Sequence, residues 1–455
     1  MNQRIITIAA LGPDTGDMLT LGALSAMRGA KRLILRTAQH GVAALLESEG
    51  VAYETLDALY EACEDFDELC EAAADALIAR AEEAGELCYA VSEPGSDATV
   101  RALAKALPEG MALRVVGGLT LSQAAACAVI PYGVNTENLR TITALSTDEI
   151  RVQADCPQVI TEIDTKYIAS DVKLWLSDLF EDEMTVYFVE NAADGTAARP
   201  ILLCDLDRQP HYDHRTAVLV PAVSVYERTR ATYEDFVQVI GRLRGPGGCP
   251  WDRAQTHHTL RQYMIEEACE AAEVMDGDDP MKIADELGDV LLQVVLNAAI
   301  GAEHRDFTDR DVTSMAAHKM ITRHEHVFGT ARAKDAQAVT SVWENAKKKE
   351  RGEQTALERV RDVAPSLPGL MRAQKVVRRQ MQAQGTPVSR EDALSQVITS
   401  AKAMEKAGAG ERELGALLEA CALLAHAMDL DAETALRAKT AARIADLAEE
   451  SGKNC

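Results

Sequence analysis

The sequence predicts a multidomain protein: an α/β module over roughly the first 225 residues, followed by an all-α module. Three observations predict it. At 455 residues the chain is too long for one core. Short apolar runs alternate with alanine-rich stretches through the first part. From about Tyr233 the strand signals vanish and nearly everything has helical period.

"RIITIAAL" (Arg4–Leu11) is an apolar run closed by Gly12-Pro13, which reads as a buried strand and turn. "KRLILRT", "ELCYAVSEPGS" and "ALRVVGG" repeat the pattern with helical stretches between them, as a largely parallel sheet requires. "PQVITEI", "MTVYFVE" and "ARPILLCDL" are richer in strand formers and flank a helical piece around "ASDVKLWLSDLF", which suggests a second lobe. A boundary near residues 222–232 follows. Beyond it, the Gly/Pro-rich "RGPGGCPWDRAQTHHT" (Arg244–Thr259) is the main interruption of the helices.

Charge and composition exclude several classes. A formal charge of −25 argues against general nucleic-acid binding and against attraction to anionic membranes. A small phosphorylated substrate remains open if a cation or a local basic patch neutralises it. The ten cysteines form no Cys-x-x-Cys pair and no zinc spacing, and Cys269 and Cys421 read as small core residues. No run reaches the ~18 apolar residues of a membrane span, and the start lacks a signal-peptide pattern. The expectation is a cytoplasmic protein with reduced thiols.

The acids of "EEACEAAEVMDGDDPMKIADELGD" (Glu266–Asp289) carry the chemistry. On a helix, Glu266, Glu267, Glu270 and Glu273 share one half, while Ile265, Ala268, Ala271, Ala272 and Met275 lie opposite. That is an ordinary amphipathic pattern. "ELGDVLLQVVLNAAI" (Glu286–Ile300) says more: it is apolar almost all round, as in a helix buried in a bundle. Its polar residues, Glu286, Asp289, Gln293 and Asn297, fall on one stripe roughly 80° wide. Carboxylates among Leu and Val are costly unless paired or bound to metal. With Glu267 and Glu270 from the preceding helix, four acids could converge on a hard divalent cation, Mg²⁺ or Mn²⁺. Asp276, Asp278, Asp279 and Asp285 need only solvation and capping at the turn, and Glu273 should face solvent.

Basic residues follow. Lys319 and Arg323 lie four apart on one helical face, and "SVWENAKKKERG" adds Trp343 and the Lys347–Lys349 run. His324 and His326 read more readily as a helix end than as ligands. Acids for Mg²⁺, a basic cluster and no nucleophilic Ser or Cys motif suggest phosphoanhydride hydrolysis by metal-activated water. No P-loop supports an ATPase route.

These residues resemble the MazG family of nucleoside triphosphate pyrophosphohydrolases over about Phe236–Lys349. The carriers are "GGCPWDRAQTHHTLRQYMIEEACEA", "ADELGDVLLQVVLNAAI" and "HKMITRHEHVFG", with fifteen residues between Glu270 and Glu286. The resemblance implies hydrolysis of a nucleoside triphosphate to the monophosphate and pyrophosphate. It implies Mg²⁺ held by Glu267, Glu270, Glu286 and Asp289, phosphates met by Lys319 and Arg323, and Trp343 lining the nucleotide site. Glu266 and Glu267 are the candidates for the water-orienting base. Glu325 stands where proline is usual and Asn297 where histidine is common. "LPGLMRAQKVVRRQMQAQG" and "RELGALLEACALLAHAMDLDAETALRAKTAARIADL" resemble a second, degenerate repeat, in which Thr399-Ser400, Ala403 and Ala416 replace acids. That copy reads as structural.

The first part resembles the tetrapyrrole methylase fold found in YabN-like fusions with MazG. The carriers are "ITIAALGPDTGDMLTLGAL", "RLILRTAQHGV", "LDALYEACEDFDEL", "ASDVKLWLSDLF" and "DLDRQPHYDHRTAVLVP". Its ligand loops depart from the family pattern at Asp14-Thr15, at Ser92-Glu93-Pro94 and at "VVGGLTLSQAA". Methyl transfer from S-adenosylmethionine is therefore the lesser expectation, and no donor-binding residue is assigned. The expected organisation is residues 1–225 methylase-like, 233–352 catalytic and 355–450 the degenerate repeat. Nucleoside triphosphates and a second copy of the chain are the expected partners, because a two-helix acid site needs partner helices. A methyltransferase, or a non-catalytic nucleotide-sensing scaffold, is the alternative.

Overall fold

Apolar runs separated by helices pair most readily in parallel. Strands β1 (Arg4–Ala10), β2 (Leu33–Leu35), β3 (Glu54–Thr55), β4 (Glu86–Val91) and β5 (Met111–Val116) form such a sheet, ordered β3-β2-β4-β1-β5. This computed structural model describes every residue except 1–3, 14–15, 64, 193–194, 331, 333–338, 340–342, 344–354, 386, 406–409 and 453–455. The sequence departures at Asp14 and Thr15 and the Lys347–Lys349 run lie outside the described residues. The chain divides into two compact units, residues 1–300 and 301–455.

The sheet is covered on both faces, as its unbroken apolar strands demand. Ile6, Ile8, Leu87 and Tyr89 pack with Ala73, Leu77 and Leu103 from α4 (Phe66–Ala84) and α5 (Ala98–Ala106). The alternate residues, among them Ala9, Cys88 and Ala90, meet Ala23, Met27, Val42 and Leu46 from α1 (Leu21–Arg28) and α2 (Gly41–Ser48). Burial there pushes the Cys88 thiol up to about 12, so it stays protonated. Two-residue β3 went unread in the sequence because Glu54-Thr55 offers no apolar run.

The expected second lobe is a five-stranded sheet ordered β6-β7-β10-β8-β9, built from β6 (Arg140–Thr143), β7 (Gln158–Thr161), β8 (Thr185–Ala192), β9 (Gly195–Leu202) and β10 (Ala217–Val220). All its pairings are antiparallel except that of β6 with β7. α6 (Leu121–Ala128) leaves the first sheet and buries Leu121 and Ala125 on the second, against Val159, Val189 and Leu219. α7 (Lys166–Leu176) packs Ala169, Val172 and Leu176 into that sheet's other core.

At the predicted boundary the chain is tied down. The Arg228 side chain is buried and pairs with Asp235 at 2.5 Å. Thr229 Oγ1 donates to Glu181, and Arg230 Nη1 donates to the carbonyls of Ser177 and Asp178 just past α7, at 2.6 and 3.2 Å. Asp235 also closes a capping box with Thr232, which starts α8 (Tyr233–Arg244) where the sequence places it.

The Gly/Pro loop after α8 is less irregular than expected. It contains α9 (Pro250–Ala254), and α10 (His257–Val274) already begins inside it from a Thr256 capping box. Gly248 is obligatory there, because a Cβ would lie 2.1 Å from the Leu243 carbonyl oxygen. α11 (Pro280–His304) follows, with Asp279 Oδ1 accepting from the Met281 amide at 3.1 Å. Ile240, Leu260, Val295, Leu296 and Ile300 form the core of these helices.

One expectation is corrected here. α11 is not buried all round: residues 292–301 are buried or half-buried, but Leu287 is 45 % and Leu291 38 % exposed, and the last three residues are exposed too. On α10 only Ala271 of the predicted apolar face is buried, and Ile265 is 45 % exposed. Helical period identifies the apolar faces but not what covers them.

The second unit is helical throughout its described residues. α12 (Asp309–Arg323) and α13 (Glu325–Phe328) are followed by helices at Ala356–Arg361, Gly369–Gln384, Arg390–Ala403, Glu411–Ala427 and Ala432–Gly452. Val377, Ala393 and Leu423 centre a small core. Cys421, expected inside, is exposed, because the face it shares on its helix is turned away from that core. Among the described residues no helix is long and apolar enough to cross a membrane.

Candidate metal and phosphate site

The turn at residues 275–279 joins α10 to α11, and three acids meet across these helices. Carboxylate oxygens of Glu267, Glu270 and Glu286 all lie within 4.8 Å of one another. Like charges at that spacing disfavour ionisation. Partial burial, then the charges of Asp289, Glu270, Glu286 and Glu266, raise the pKa of Glu267. Partial burial, then Glu270, Asp289, Asp285 and Glu273, raise that of Glu286. The donor set is all oxygen, which fits a hard divalent cation and gives no purchase to a thiophilic one.

Of the four predicted ligands, three are brought together. Asp289 is exposed and stands outside the trio, although its charge reaches both Glu267 and Glu286. Glu266 is exposed as well, and its Oε1 accepts from Gln262 Nε2 at 2.8 Å. Glu273 faces solvent as expected.

Sequence reasoning missed the far end of the α11 stripe. Asn297 Nδ2 donates to the Gln293 carbonyl at 2.8 Å, which turns its Oδ1 toward His257 Nδ1 at 2.7 Å. His257 therefore donates from Nδ1. No local pattern signals a pair forty residues apart.

The predicted basic residues belong to the second unit. Lys319 is exposed on α12, and the Arg323 guanidinium lies 5.7 Å from the centroid of the Trp343 ring, a cation–π distance. His324 caps α12 as anticipated, its Nδ1 donating to the Met320 carbonyl at 2.7 Å.

In the N-terminal fold a cleft of about 380 Å³ opens where β1, β4 and β5 end. Gly118 is required there, since a Cβ would lie 2.7 Å from that of Ala10. Glu93, from the divergent Ser92-Glu93-Pro94 turn, spends its Oε1 on the Leu121 amide at 2.6 Å. Among the described residues no cationic side chain lines the cleft.

Comparison with known proteins agrees with the two architectures. Residues 6–196 match the tetrapyrrole (corrin/porphyrin) methylases, and residues 255–328 match the MazG nucleotide pyrophosphohydrolase domain. By class, then, the chain is a methylase-type domain fused to a MazG domain. It is 33 % identical over 378 residues to YabN of Bacillus subtilis, covering 82 % of this chain and 76 % of that protein. The nucleoside triphosphate pyrophosphohydrolase/pyrophosphatase MazG of Thermotoga maritima is 36 % identical over 213 residues, 46 % of this chain and 81 % of that one. A nucleoside triphosphate pyrophosphohydrolase of Escherichia coli K12 is 37 % identical over 145 residues, 32 % and 55 % of the respective chains. The chain belongs to the MazG family, in its YabN-like form.

Proposed function

We propose that this protein is a Mg²⁺-dependent nucleoside triphosphate pyrophosphohydrolase, splitting a nucleoside triphosphate and water into the monophosphate and pyrophosphate. The carrying observation is the convergence of Glu267, Glu270 and Glu286 within 4.8 Å, inside the segment that matches the MazG domain. The activity for which the Thermotoga and Escherichia relatives are named supports the same reading.

Glu267, Glu270 and Glu286, joined by Asp289, would hold the cation. Mg²⁺, with Mn²⁺ as a substitute, supplies positive charge to the phosphate oxygens and eases deprotonation of the attacking water. Glu266 or Glu267 orients that water. Glu266 suits the task, because Gln262 fixes one of its oxygens and leaves the other to accept a proton. The bond that breaks is the phosphoanhydride between the α and β phosphorus atoms, and the water oxygen remains on one product. Lys319 and Arg323 bind phosphate, and Trp343, 5.7 Å from the Arg323 guanidinium, lines the nucleotide site.

The exposed Ile265, Leu287 and Leu291 support a homodimer in which partner helices cover this face. Residues 355–450 act as a structural repeat, residues 1–225 as a methylase-like domain with altered cofactor loops, and the cytoplasm is the compartment. The test is pyrophosphate release from a panel of canonical and damaged nucleoside triphosphates with Mg²⁺. Wild-type protein should release it, and Glu270→Gln and Asp289→Asn should not. Equal release by all three proteins, or none by any, would overturn the reading.

A further inference from the structure

The polar stripe of α11 continues past the acids. Gln293 is only 5 % exposed, and its Oε1 is buried with no hydrogen-bond partner among the described residues. At about 100° and 1.5 Å per residue it falls on the face of Glu286, about 6 Å beyond Asp289 and about 10 Å beyond Glu286 along the axis. The helix is pinned at this point, since the Gln293 carbonyl takes Asn297 Nδ2 and Asn297 holds His257. Val290 and Asn297, beside it on the same face, are half-buried, so the stripe meets the surface next to Gln293. Native proteins rarely bury an amide oxygen with no donor, and a missing ligand is one of the accepted reasons.

Building on the pyrophosphohydrolase reading, we propose that Gln293 Oε1 is a specificity-determining acceptor for the nucleobase, receiving an N–H of its exocyclic amino group. Phosphate oxygens at neutral pH are acceptors, so a neutral carbonyl oxygen cannot serve the triphosphate. The donors on a nucleoside triphosphate are sugar hydroxyls and base N–H groups. With the triphosphate at the acids, the base is the part that reaches farthest from them, which matches an acceptor two turns up the helix.

The experiment uses the full chain with Mg²⁺ and substrate pairs that differ by one group: ATP against purine riboside triphosphate, GTP against ITP, and ATP against dATP. Wild-type protein should favour the amino-bearing member of the first or second pair by about tenfold in kcat/KM, through KM, as one hydrogen bond to a buried acceptor provides. Gln293→Leu and Gln293→Met should bring that ratio to about two or below while keeping kcat on the disfavoured member. Their melting temperatures should be unchanged or higher, because an unpaired polar group has been removed. The proposal is overturned if wild type does not discriminate within either amino pair. It is also overturned if the variants keep the wild-type ratio, lose all substrates equally, or change only the ATP/dATP ratio. Release from no nucleotide by wild type would instead remove the functional reading on which the proposal rests.

Discussion

Asn297 and His257, forty residues apart, are joined side chain to side chain at 2.7 Å, and this pair holds the start of α10 against the buried half of α11. Asn297→Ala should cost about 1–2 kcal/mol in urea unfolding. His257→Ala should cost no more than that. The double variant should match Asn297→Ala, because both substitutions remove one shared interaction.

Removing charge from the acid trio should have opposite effects on folding and on binding. Glu286→Gln relieves repulsion between Glu267, Glu270 and Glu286, so the metal-free variant should melt at or above the wild-type temperature. Adding Mg²⁺ should raise the melting temperature of wild type and leave that of the variant almost unmoved. A variant stabilised by Mg²⁺ as strongly as wild type would remove Glu286 from the cation site.

The raised pKa values of Glu267 and Glu286 set the pH dependence. Between the unfolded and the raised folded pKa, the native state binds more protons than the unfolded state, so stability falls as pH rises. The contribution of these two groups to metal-free stability is therefore most favourable in acid and is lost as pH climbs through their folded pKa values. Mg²⁺ must displace the same protons, so its apparent affinity should increase over that window and level off above it. Calorimetry in two buffers of different ionisation enthalpy would detect the proton release.

Asp207 should show the opposite sign. Burial raises it, but the hydrogen bond and charge of Lys173 at 2.5 Å outweigh that and hold it below the usual carboxylate range. Its stabilisation is present above the unfolded pKa and is lost as pH falls through the lower folded value. Asp207→Asn should accordingly flatten the acid limb of the unfolding curve, with a loss of about 1–3 kcal/mol at neutral pH.

The exposed apolar residues near the acids predict association. Leu287→Glu together with Leu291→Glu should shift the mass measured by light scattering from two chains to one while far-ultraviolet circular dichroism is retained. A wild-type protein that is already monomeric at micromolar concentration would remove the dimer from the proposal.

Much of this was legible from residue order. The strands β1, β4 and β7 announced themselves because each buries consecutive side chains, β5 and β8 through their strand formers, and helical period from about Tyr233 marked the first helix of the second half. The acids were legible as a stripe because a helix repeats regularly. Three short strands were missed: Glu54-Thr55 and Arg140–Thr143 gain their partners from neighbouring strands and not from their own composition, and Ala217–Val220 is only four residues long. Burial was also misread: Leu287 and Cys421 lie on apolar helical faces that no described residue covers. Periodicity encodes which residues share a side, whereas occupancy of that side depends on distant segments or on other molecules.

The clasp at Arg228–Asp235 bears on how the molecule can be dissected. A change of composition invites a cut at residues 222–232, as though one bead ended and another began. Arg228, Thr229 and Arg230 make that stretch a welded splice, holding the first helix of the helical half to the end of a helix in the other. A fragment starting at Tyr233 would leave Asp235 without its arginine and α8 without its cap, so the helical half is best excised with its splice attached.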